Sequence, residues 1–192
     1  MIHFKVNGQP ASARMPTMAE LTTLIAEGLE SPLALKKLAK ACVVSPTYAE
    51  VSKGRAAIGP QLGIILAGSA GMGAPVVELD TEDDDIPEEV AAAFVALEAK
   101  GMEELAILRT TITTPQGDVD SYFIQRMPNE RACDEYMKHE KSVEGAKKMV
   151  ETITAYPEKT AHLQQEAPGL YVSLARHALR RAGLFEAIEL GE

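Results

Sequence analysis

The sequence predicts an α+β protein, mainly α, made of two similar units, each a short β-hairpin followed by a small antiparallel helical bundle. Three observations carry that expectation. The 192 residues are 46% apolar, enough for a sizeable core, yet Trp is absent and aromatics make up only 5%, which favours packed helices over a sandwich. Pairs of β-prone runs flank two turn-forming stretches, Asn7-Gly8 and Pro115-Gln116-Gly117-Asp118. The phrase Arg-Met-Pro occurs twice, at Arg14-Met15-Pro16 and Arg126-Met127-Pro128, each time where a strand-like run gives way to a helix-like one.

In residues 2–14, Asn7-Gly8 follows an alternating run and can take the positive φ values of a two-residue hairpin turn, while Pro10 weakens the return strand. After Pro16, the apolar positions Met18, Leu21, Leu24, Ile25 and Leu29 recur near a 3.6-residue period, and Thr17 with Glu20 has capping-box spacing. A second helix follows Pro32, with Leu33, Leu35, Leu38, Ala39, Cys42 and Val43 on one face and Lys36, Lys37 and Lys40 on the other. Pro46 disfavours a helical residue before it, so this helix ends near Ser45. The stretches PTYAEVSKGRA and PQLGIILAG read as two shorter helices, broken around Gly59-Pro60.

The run GSAGMGAPVVELDTEDDDIPEE reads as a linker, because glycines tolerate unusual torsions and a dense charge run cannot bury. The expected organisation is therefore a first unit over 1–72, an acidic Gly-rich linker over 73–88, and a second unit over 89–192. From Pro87 a helix runs to Gly101, then β-prone runs surround PQGD, then helical stretches cover about 128–140, 142–155, 157–166 and 168–183.

The two units align in order. At the 112-residue offset of the repeated phrase, Leu21 meets Cys133, Leu24 meets Tyr136 and Ile25 meets Met137. With small gaps, Lys36-Lys37-Leu38 and Pro46 then meet Lys147-Lys148-Met149 and Pro157, and Pro60, Leu62, Leu66 and Ala67 meet Pro168, Leu170, Leu174 and Ala175. Proline is tolerated in a first helical turn, where its missing N–H would be unpaired anyway, so Arg-Met-Pro reads as structural punctuation, with Met towards the core and Arg towards solvent or the strand end. A functional alternative has the two arginines gripping an acidic partner or the acidic linker.

Charge is local. The net charge is -9, but eight acids (Glu78, Asp80, Glu82, Asp83, Asp84, Asp85, Glu88 and Glu89) sit in one run, and the other 20 nearly balance the 19 bases. No basic stripe marks a nucleic-acid partner. Nothing approaches 18 consecutive apolar residues and no basic segment leads into an apolar one at the N-terminus, so neither a membrane span nor a signal peptide is expected, and the cytoplasm is the expected compartment.

Motif-borne chemistry is sparse. Cys42 and Cys133 lie far apart in helical patterns and read as buried reduced thiols. His3, His139, His162 and His177 show no metal spacing, and no nucleophile signature accompanies them. GSAGMG lacks the Lys-Ser/Thr of a phosphate-binding loop, and the acids of EDDD lack the alternating ligands and glycine of a calcium loop. No catalytic, cofactor-binding or metal residue is therefore assigned, no cofactor is expected, and the partner-binding residues carry no motif.

Three phrases resemble the tail assembly chaperones of long-tailed bacteriophages and prophages: Ala41-Cys42-Val43-Val44-Ser45-Pro46, Tyr122-Phe123-Ile124-Gln125-Arg126-Met127-Pro128 and Pro168-Gly169-Leu170. The first unit departs from the pattern, having Pro10 and Ala11 where the second has the aromatic entry Tyr122 and Phe123. The resemblance implies a non-enzymatic cytoplasmic helper, weakly self-associating, that binds the helical tape-measure protein and helps tail-tube subunits assemble around it. Two alternatives from other classes stay open: a virion structural or adaptor protein, and a small enzyme or regulator with a site between the units.

Overall fold

The computed structural model describes residues 1–83, 85–139 and 142–183. Asp84 of the acidic run, Glu140 at the end of an expected helix, and 184–192 at the end of the expected second unit lie outside the described residues.

The chain opens with β1 (Ile2–Val6) and β2 (Gln9–Ala13), antiparallel, joined by Asn7 and Gly8 at φ 53° and 80° as their two-residue turn requires. Pro10 is paired within β2, opposite Lys5. Helix α1 (Met18–Glu27) starts from Thr17, whose side chain accepts from the Glu20 N–H while the Glu20 carboxylate accepts from the Thr17 N–H. Helix α2 (Pro32–Cys42) starts from Ser31 with Pro32 at its first position, and buries Leu35, Leu38, Ala39 and Cys42 while Leu33 faces out.

The chain then departs from expectation. Instead of reaching Ser45, α2 ends at Cys42 and passes into β3 (Val43–Ser45), which pairs with β2 to complete a three-stranded antiparallel sheet. After α3 (Tyr48–Val51) the chain breaks and α4 (Ile58–Ser69) begins, so two shorter helices form as expected, with Gly59-Pro60 in the first turn of α4, where proline is tolerated. A Cβ on Gly59 would strike the Tyr48 hydroxyl, and one on Gly63 would strike the Leu35 carbonyl, so α4 lies backbone-close against α2.

The expected linker is partly sheet. Val76–Leu79 forms β4, which pairs with β5 (Leu105–Thr114); β5 pairs with β6 (Gly117–Arg126), and β6 with β7 (Thr154–Tyr156). This four-stranded sheet is covered on both faces. Ile107 and Ile124 pack with Val90 and Phe94 of α5 (Glu88–Ala99), while Ala106, Leu108, Ile112 and Phe123 join the main core. The remaining helices are α6 (Glu130–Met137), α7 (Val143–Ile153), α8 (Leu163–Glu166) and α9 (Leu170–Arg181).

The expectation of two similar hairpin-plus-bundle units is thereby overturned. The protein is α+β with a three-stranded and a four-stranded antiparallel sheet. Nor are the helices two bundles: one continuous core runs from Ile2, Leu21 and Leu66 to Met149, Tyr171 and Leu179. The Thr22 hydroxyl of α1 accepts the Val143 N–H of α7 at 3.1 Å, and the Gly169 N–H donates to the Ala70 carbonyl at 2.7 Å. Burying apolar faces of both halves against each other removes more surface from water than two small bundles would. Among the described residues, no helix is long and apolar enough to cross a membrane.

Candidate functional site

The helical hairpin α1–α2 leaves a groove of about 160 Å3 between its helices. Glu20, Thr23, Leu24 and Glu27 line one side, at helix spacings of three and four, and Ala34, Lys37, Leu38 and Ala41 line the other with the same spacing. The floor is apolar. Its rim is charged, and Lys37 bridges the Glu27 carboxylate with contacts of 2.7 and 2.9 Å. Both partners are substantially exposed, so this bridge contributes little to stability and shapes the rim instead.

A second groove, about 600 Å3, opens between α6 and α7, lined by Arg131, Ala132 and Glu135 on one helix and Lys148, Glu151 and Thr152 on the other. It is wider and more polar. Lys148 occupies the place that Lys37 holds in the first groove, one helical turn before the end of its helix.

Below the first groove sits an ion-pair network. Arg14, just past β2, reaches Glu20 through two guanidinium nitrogens at 2.8 and 2.5 Å, and donates to the carbonyls of Met15 and Ala41 at 3.1 and 3.2 Å. The bidentate guanidinium holds the Glu20 carboxyl down at about 2, with further help from Thr17, and Glu20 in turn raises Arg14. The Cys42 thiol lies 3.9 Å from Glu20; burial first, and the nearby carboxylate second, push it up to about 11. This arrangement protects the thiol from ionising.

Arg126 is likewise occupied, donating to the Thr152 carbonyl at 2.7 Å. Both arginines thus tie a hairpin to a helix. Pro16 and Pro128 are buried, and Met15 packs on the core, as read from the sequence. However, both prolines stand immediately before the N-caps Thr17 and Asn129 and not in the first helical turn.

The other singled-out residues do not converge. The His3 carbonyl accepts from the Gln116 amide at the tip of the β5–β6 hairpin; the His139 carbonyl accepts from Ser142; and His162 stands at the N-cap position of α8 without a side-chain capping bond. His177 is half-buried on α9 beside Glu78, and burial lowers its pKa. Cys133, half-buried on α6, also has its thiol pushed up by burial. Within GSAGMG, Gly71 takes φ 81° with its Cα against Leu170, so this glycine serves the α4–α9 junction. No group of three His, Cys, Asp or Glu side chains among the described residues is placed to hold a metal ion.

The groove residues were missed because no motif announces them. Their signal was periodic: Glu20, Thr23, Leu24, Glu27 and Ala34, Lys37, Leu38, Ala41 are one-face stripes on helices that the sequence does predict.

Comparison of the chain with known protein families, with curated proteins and with solved structures finds no match.

Proposed function

We propose that this chain is a non-enzymatic binding protein that receives helical segments of a partner in its helical-hairpin grooves, and that it serves as a tail assembly chaperone of a long-tailed bacteriophage or prophage. Its client is then the tape-measure protein, with the tail-tube protein as a second contact, and its place of action is the host cytoplasm. The observation that carries the reading is the α1–α2 groove: apolar floor, charged rim, and a volume of about 160 Å3. A cavity of about 150 Å3 takes a benzene ring, so this groove has the size for one large apolar side chain projecting from an amphipathic helix. The rim carries both signs of charge, Glu20 and Glu27 against Lys37, which suits a client helix whose apolar stripe is flanked by acids and bases. The phrases Ala41 to Pro46 and Tyr122 to Pro128 supply the specific family.

Co-expression with a tape-measure protein encoded beside this chain, followed by affinity purification, tests the reading. The expected result is a stoichiometric complex, absence of the chain from finished particles, and loss of the complex on Ala41→Glu, which puts a charge at an exposed edge of the groove. Retention in finished particles would instead mark a structural or adaptor protein. No complex with the tape-measure protein, or a complex indifferent to Ala41→Glu, overturns the groove reading.

A further inference from the structure

We infer that the cleft between α9 and the segment 73–76 is a second binding site, one that takes paired carboxylates of an acidic peptide segment on a partner chain. The cleft encloses about 350 Å3, in the size range of ligand sites. Arg176 and Arg180 project into it from α9, one helical turn apart and therefore on one face.

The adjoining column of the same helix already shows what such a face does. Arg181 Nε lies 3.2 Å from the Glu78 carboxylate of β4, and His177 Nε2 lies 3.7 Å from the same oxygen. Residues 73–75, opposite Arg176 and Arg180, are Gly, Ala and Pro and carry no acid. Neither of these two guanidiniums has a hydrogen bond or an ion pair among the described residues. A helix C-terminus attracts cations, which accounts for Arg180 and Arg181 in the last turn of α9 but not for Arg176 a turn earlier.

The rest of the cleft fixes the class of ligand. Val172, Ala74 and Pro75 supply an apolar shelf beside the two guanidiniums, and the Ser173 hydroxyl is turned away to the Gly71 carbonyl at 3.1 Å. A phosphate dianion would be poorly served here. Its charge would concentrate near the carbonyl end of α9, whereas dianion sites favour the N–H end. Two carboxylates, one per guanidinium and each able to accept a forked pair of N–H donors, spread the charge, and a neighbouring apolar residue covers the shelf. An acidic helix with glutamates four residues apart matches the spacing of Arg176 and Arg180. The site is separate from the helical-hairpin grooves, and the inference stands whether or not the client reading does.

The test is an NMR titration of the intact chain, following the arginine Nε–H signals, with the blocked peptide Leu-Glu-Ala-Ala-Ala-Glu-Leu. Its glutamine counterpart serves as the control. The expected result is a saturable shift at Arg176 and Arg180 with the glutamate peptide, none with the glutamine peptide, and weakening as salt is raised. The double variant Arg176→Gln with Arg180→Gln should bind at least about tenfold more weakly while its other amide signals stay in place. Arg55→Gln, between α3 and α4 and outside the grooves and the cleft, removes a positive charge elsewhere and should bind like the parent chain. An absence of saturation, equal binding by the double variant, an equal loss with Arg55→Gln, or displacement of the peptide by inorganic phosphate at lower concentration overturns the inference.

Discussion

Arg14 and Arg126 make the same connection 112 positions apart: each leaves the end of the second strand of a hairpin and donates to a carbonyl near the end of the second helix that follows, Ala41 at 3.2 Å and Thr152 at 2.7 Å. They differ in what else they hold. Arg14 also carries the bidentate pair with Glu20, whereas the residue in the corresponding place of α6 is Ala132, which lines the wider groove.

This difference makes the first connection sensitive to acid. The Glu20 carboxyl is held at about 2 in the fold against an ordinary 4.5, so its contribution is complete above about 4.5 and is lost as the pH falls towards 2. Arg14 is partly exposed, so solvent screening leaves about 1 to 2 kcal/mol of the pair's nominal worth. Glu20→Gln should lower the unfolding free energy by that amount at pH 7 and flatten its slope between pH 4.5 and 2. Urea unfolding across that range checks both. An unchanged slope would mean that the pair does not persist in solution.

Within α4 two glycines should respond in opposite directions to the same substitution. A Cβ at Gly63 falls on the Leu35 backbone, while one at Gly68 meets nothing within 4 Å. Gly63→Ala forces α2 and α4 apart and should cost about 1 to 3 kcal/mol. Gly68→Ala should stabilise by about 0.5 to 1 kcal/mol through a less flexible unfolded chain. Denaturant midpoints of the two variants decide it; equal effects would place the α2–α4 contact elsewhere.

The two thiols should alkylate in a fixed order. Cys42 is buried with its ionisation pushed up to about 11, and Cys133 is half-exposed with a smaller rise. Iodoacetamide at pH 8, followed by peptide mass spectrometry, should modify Cys133 at least about tenfold faster, because only an accessible thiolate reacts. Faster modification of Cys42 would show that the α1–α2 hairpin opens readily.

His177 supplies a second pH response, at a different range. Burial, the largest influence, lowers its pKa from the ordinary 6.5; Glu78 opposes that shift, while Arg181 and Arg180 reinforce it. The fold thus prefers the neutral ring, and the stability tied to it is intact above about 6.5 and lost as the pH falls below that value. His177→Gln should remove this loss, so parent and variant should diverge in melting temperature only on the acid side of 6.5. A parallel pair of curves would sink the assignment.

The sequence by itself determined the elements whose causes are local. Asn7-Gly8 specifies its hairpin because both residues accept positive φ; Thr17 and Glu20 specify the start of α1 because they cap each other; and Pro87 and Gly101 bracket α5. Tertiary structure alone decided β3, β4 and β7, strands of three or four residues whose only cause is pairing with β2, β5 and β6. So short a strand has no period to read, and its hydrogen bonds are made to residues distant in the chain. The same holds for the close approach of α4 to α2, which rests on Gly59 facing Tyr48 and Gly63 facing the Leu35 backbone. It holds too for the shared core, since apolar stripes on helices say which face is buried but not which partner buries it. The grooves belong to this second class: their stripes are local, and the space between them exists only once α1 meets α2 and α6 meets α7.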